Sequence, residues 1–71
     1  MNQVLRAALE HGDTSLIAVA ILAHPRSHQL LETSTEKIRQ IASREVEPTA
    51  ADRQTVRDIA RGFLIFEGEL A

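Results

Sequence analysis

The sequence predicts an all-α fold, a small four-helix bundle or orthogonal helical array, from three observations. Residues 16–23, reading LIAVAILA, are apolar without interruption. The segments on either side repeat apolar residues at intervals of three and four, the period of a helix with one buried face. Gly12, Pro25 and Pro48 stand where that period breaks. Together these place helices at about 2–11, 14–23, 27–45 and 50–69, with residues 1–71 forming a single domain.

Each helix has its own warrant. In the first, Val4, Leu5, Ala8 and Leu9 recur at helical spacing around Arg6 and Glu10. Gly12 follows as a left-handed stop, and His11 suits the negative end of the helix dipole. Asp13, Thr14 and Ser15 are all N-cap formers, so the second helix starts there. Ile17, Val19 and Ile21 alternate with alanines and also suit a strand. No other segment offers a pairing partner, however, and an unpaired strand leaves its backbone groups unsatisfied. The alanines decide for helix. An apolar run of this kind is expected to be the hub, covered on every side by the other three helices.

Pro25 pushes His24 out of helical geometry and is suited to open the next helix. From residue 27 to about 45, Leu30, Leu31, Ser34, Ile38, Ile41 and Ala42 share one face; Glu32, Glu36, Arg39, Gln40 and Ser43 share the other. Thr33, Ser34 and Thr35 are poor helix formers, and Thr33 with Glu36 reads as a capping box. This segment is therefore either one kinked helix or a short helix followed by a second from Ser34. Pro48 ends it, and Thr49 with Asp52 makes a capping-box start for the last helix. Its apolar stripe is Val56, Ile59, Ala60, Phe63, Phe66 and Leu70. Gly62 weakens that helix by up to about 1 kcal/mol relative to Ala, while admitting a close backbone neighbour. The chain contains no internal repeat, low-complexity segment or linker.

Composition narrows the function. A chain of 71 residues buries only about 60% of the surface it exposes when unfolded, so its core is thin and a second copy is a natural source of further burial. There is no Cys, which excludes disulfides, thiolate metal sites and cysteine nucleophiles and is compatible with a reducing cytoplasm. Phe63 and Phe66 are the only aromatic residues, too few for a base-stacking platform. A net charge of −2 lacks the basic excess of a dedicated nucleic-acid binder. The apolar run is shorter than the roughly 20 residues of a membrane span, and the N-terminus has no basic leader, so neither membrane insertion nor a signal peptide is expected.

Four groups of residues are candidates for function. His24, His28 and Glu32 are spaced by four, a metal-ligand spacing, but Pro25 breaks the register and no HExxH motif is present; a polar corner facing water is expected instead, with no metal or cofactor. No nucleophile motif or phosphate-cradling loop exists, so the protein is expected not to be an enzyme. Arg53, Arg57 and Arg61 step along the last helix at intervals of four, with Asp52 and Asp58 available to balance them. Residues 37–61 also resemble a degenerate helix-turn-helix, in which Arg53, Gln54, Arg57 and Arg61 would meet DNA. The connection over 46–51 is longer than the usual turn and lacks its Gly.

The fourth group is Phe63, Leu64, Ile65 and Phe66. Ile65 lies nearly opposite the stripe of Val56, Phe63 and Leu70, so one face cannot bury the whole set. If the hub consumes the interior, this surplus points outward. The expected function is therefore a non-catalytic interaction module or regulator, cytoplasmic and homodimeric. It binds a protein partner through Phe63, Leu64, Ile65 and Phe66, with Arg53, Arg57 and Arg61 supplying charge complementarity. The rival expectation is a DNA-binding transcriptional regulator.

Overall fold

The structure, a computed structural model, describes residues 3–66. It is all-α: α1 (Gln3–His11), α2 (Thr14–Ala23), a 3₁₀ helix (Pro25–Gln29), α3 (Glu32–Ala42) and α4 (Ala50–Phe66), with no strand among the described residues. The end of α4 expected near residue 69, and Leu70 with it, lie outside the described residues. α2 occupies the middle, packed most extensively on α3 and also on α4, α1 and the 3₁₀ helix, while α1 leans in turn on α4.

Local chemistry sets the ends of α2. Gly12 adopts φ +87° and returns its N–H to the Ala8 carbonyl at 3.0 Å, closing α1 in the left-handed geometry that Gly tolerates best. Asp13 then caps α2: its Oδ1 accepts from Ser15 N–H at 2.9 Å and Leu16 N–H at 3.4 Å. At the far end His24 is extended, with φ −73° and ψ 141°, as Pro25 requires of the residue before it. Between these caps Ile17, Ala18 and Ile21 are fully buried, and Leu5, Ile38, Ile41, Val56, Ala60 and Leu64 close around them. Full burial of an Ile side chain contributes roughly 1.5–3 kcal/mol.

The hub is not covered on every side. Leu16 is 42% exposed and Val19 50%, with Ala23 exposed one turn further on. Three neighbouring helices enclose only three sides of α2, and its fourth stripe meets solvent.

The segment 27–45 takes the second of its two expected forms, a short helix followed by another, with shifted bounds. The Nδ1 of His24 accepts from Arg26 N–H at 3.0 Å, and tight i→i+3 bonds follow, from Ser27 N–H to the His24 carbonyl and from Leu30 N–H to the Ser27 carbonyl. This geometry does not propagate far. Leu30 and Leu31 are extended, with ψ 149° and 148°. α3 then starts at Glu32, two residues before Ser34 and without a side-chain cap. It stops at Ala42 rather than near 45. The N–H of Glu45 bonds the Gln40 carbonyl and that of Arg44 the Ile41 carbonyl, a Schellman closure with Arg44 at φ +63°.

The start of α4 follows the expected capping box. Thr49 N–H donates to Asp52 Oδ2 at 3.0 Å, and Asp52 N–H donates to Thr49 Oγ1 at 3.1 Å. No neighbour approaches Gly62 among the described residues, so the close backbone contact it was expected to allow is not made by them.

Replacing Ile21 with Ala should cost about 2–5 kcal/mol, because the cavity sits where all the helices converge. Leu16→Ala, on the open side of the same helix, should cost less than about 1 kcal/mol. Urea unfolding followed by circular dichroism reads both; equal losses would contradict the burial pattern.

Candidate functional site

The buried arc of α4 consists of Val56, Ala60, Phe63 and Leu64, rotated towards α1 relative to the expected stripe. Ile59 is half-buried at the arc's edge and Phe66 is exposed. Phe63 and Leu64, expected as parts of an outward anchor, therefore belong to the core, 9% and 1% exposed. Leu64 lies eight residues after Val56, close to the same face, and α1 leans on that side. Ile65 and Phe66 do face out. Phe66 carries the Arg26 guanidinium over its ring, 4.2 Å from the centroid. A cation–π contact at such an exposed site contributes about 0.5–1 kcal/mol. Much of the expected docking patch is thus engaged by the chain itself.

His24 belongs to the same corner and does not face water. Its ring is buried and stacked on Phe63, with centroids 4.6 Å apart and planes inclined by 25°. Together with the Arg26 bond to Nδ1, the stack joins the end of α2, the 3₁₀ turn and the last turns of α4. His28 is exposed, with Nδ1 donating to the Pro25 carbonyl at 2.7 Å. Among the described residues, no three His, Asp or Glu side chains gather as a metal site would need.

The arginines of α4 stand differently from the sequence expectation. Asp52 and Asp58 do not balance them: Asp52 faces Lys37 across the α3–α4 gap at 3.8 Å, and Asp58 accepts from Gln54 Nε2 at 2.8 Å. Arg53, Arg57 and Arg61 pair with no carboxylate among the described residues. Arg53 and Arg61 are exposed and Arg57 is half-buried. Arg57 and Arg61 share one wall of an open groove of about 460 Å³ between α4 and α1, whose other wall carries Arg6, Leu9 and Glu10. Sequence reasoning missed Arg6, which carries no signal of its own and joins the others only because α1 packs against α4. Gln54, the proposed base reader, is tied along its own helix to Asp58.

A second surface lies on the opposite flank of α1. Val4, Ala7 and His11 are exposed at intervals of three and four, and Leu16, Val19 and Ala23 repeat that spacing on α2. Between the two stripes runs an apolar groove of about 420 Å³ with Ala8 and Ala20 in its lining. The signal was present in the sequence as the unbroken apolar character of α2. A third, smaller groove of about 200 Å³ separates α3 from α4, lined by Ile38, Ile41, Val56 and Ile59 with Lys37 and Asp52 among its polar residues.

No protein-family model matches the chain, and neither a curated protein nor a solved structure does. No described helix is long and apolar enough to cross a membrane.

Two carboxylates couple this architecture to pH. Desolvation pushes the Asp13 carboxyl up, but the N–H bonds from Ser15 and Leu16 and the Arg44 guanidinium, 3.4 Å away, together outweigh it and hold it below the ordinary 3.8. For Asp52 the bond from Thr49 N–H dominates; desolvation opposes it, while the Thr49 side chain and Lys37 add to it, and the carboxyl again lies below 3.8. Both groups bind protons less readily in the folded state. Their stabilisation is therefore complete above the unfolded value and is lost as pH falls through the lower folded ones. Stability measured by urea unfolding should decline below about pH 4.5, and a D13N/D52N double variant should show a flatter acid limb. Identical limbs would contradict the assignment.

Proposed function

We propose that this chain is a non-catalytic interaction module that self-associates through the face formed by α1 and α2 and binds a protein partner, in a cytoplasmic setting that its Cys-free sequence suits. The carrying observation is the double stripe of Val4, Ala7 and His11 beside Leu16, Val19 and Ala23. Spacing of three then four residues on each of two adjacent helices is the pattern by which helices seat side chains between those of a facing pair. Val4 at 68% exposure, with Leu16 and Val19, supplies projecting side chains, and the alanine-lined groove between them supplies the recess. Projections and recess on one patch are what a two-fold interface requires, since each copy must offer both. Neither stripe contains Asp, Glu, Lys or Arg, so two copies meet without like-charge repulsion. Association of this kind also enlarges the core of a chain whose own interior is thin.

The DNA-binding reading retains one supporting observation, the absence of carboxylate partners for Arg53, Arg57 and Arg61 among the described residues. Against it stand the net charge of −2, the Gln54–Asp58 bond and the placement of Arg57 in a concavity rather than on a protruding edge.

Sedimentation equilibrium of the 7.9 kDa chain tests the proposal directly. The wild type should sediment at twice that mass in the micromolar range, and Val19→Asp, which sets charges into the shared face, should return it to monomer. Ile65→Asp should leave the dimer intact. A wild-type protein that is monomeric throughout, or an Ile65→Asp variant that alone dissociates, would sink this reading.

A further inference from the structure

We propose that the groove between α1 and α4 is the docking site for an acidic segment of the partner protein, an inference that rests on the interaction-module reading and gives its partner a chemistry. Arg57 and Arg61 lie one helical turn apart on the same wall, with no carboxylate of the described chain to neutralise them. Arg6 faces them from α1 while engaging Glu10 at 3.8 Å, a solvent-exposed pair of small net value. Among the described residues, the α4 wall of the groove thus carries two guanidiniums with no carboxylate beside them, on a chain whose total charge is −2. Such a reversal of sign, confined to one concavity, selects an anionic ligand over the protein's own acidic surface.

The shape selects the class of anion. At about 460 Å³ the groove lies within the range of roughly 300–1,000 Å³ that encloses a ligand of several groups, well beyond one inorganic anion. Leu9 and Leu64 add apolar surface to its lining. The complementary ligand is amphipathic, with carboxylates at spacings that reach Arg57 and Arg61 and an apolar side chain between them. The planar fork of Arg suits carboxylate recognition in particular. A nucleic-acid duplex fits less well, because its phosphates lie on a convex surface and the lining offers no aromatic side chain for bases. The site is on the far side of α1 from the self-association face, so both can be occupied at once.

Fluorescence anisotropy of the full chain with a labelled eight-residue peptide of alternating Glu and Leu tests the inference. Binding should be measurable at about 50 mM salt and weaken as salt rises. The R57Q/R61Q variant should lose about tenfold or more in affinity, whereas Arg53→Gln, outside the groove, should change it less than about threefold. Circular dichroism of each variant verifies that the fold is retained, as expected for side chains not buried in the core. Three outcomes would overturn the inference: no binding, equal affinity for the same peptide with Gln in place of Glu, or tighter binding of a labelled DNA duplex than of the peptide. None depends on the sedimentation result, so failure of the groove and failure of self-association are separately visible.

Discussion

The constraint behind the whole molecule is that a single ten-residue helix must serve as the core of the chain. α2 is nearly uniform in hydrophobicity, so its rotational setting is decided by its neighbours and its caps rather than by a polar face of its own. Asp13 starts it, Pro25 stops it, and Ile17, Ala18 and Ile21 fill the space among α1, α3 and α4. Every other helix finds its place by covering part of this one. A thin core of this kind leaves little redundancy, since each large side chain lost removes a substantial part of a small total.

What stabilises the periphery is a set of short-range devices that join consecutive elements. His24 accepts from Arg26 N–H while its ring rests on Phe63, so one side chain ends α2, opens the 3₁₀ turn and positions α4. Arg44, held in left-handed geometry at the close of α3, reaches Asp13 at the start of α2. Lys37 and Asp52 face each other across the gap between α3 and α4. These surface pairs contribute little individually. Their value is in orienting chain segments that the core alone holds only on one side.

The same constraint produces the two surfaces of interest. With only three helices available as cover, α2 keeps a stripe open beside the matching stripe of α1. On the other flank, α1 and α4 leave between them a groove with arginines on its walls and Leu9 and Leu64 in its lining. Among the described residues Arg57 and Arg61 have no acidic partner, because Asp52 is committed to the cap of α4 and to Lys37, and Asp58 to Gln54.

Much of the fold was legible from the sequence because its signals are local. Gly12, Asp13, Pro25, Pro48 and the Thr49–Asp52 pair act on backbone groups within a few residues of themselves, so α1, α2 and the start of α4 lie where those residues direct. The all-helical class followed from periodicity alone. The bounds of α3 were less legible, because weak helix formers at 33–35 left the choice to the packing of Leu30 on the core, while Leu31, expected on the same buried face, is exposed. The surfaces were least legible. Whether Leu64 faces in or Val19 faces out depends on which sides of a helix its neighbours occupy, and Arg6 joins Arg57 and Arg61 only through the packing of α1 on α4. Sequence determined the helices, their caps and the surplus of apolar surface. Tertiary structure alone decided where that surplus emerges, because burial is a property of several segments meeting and no segment encodes its neighbours.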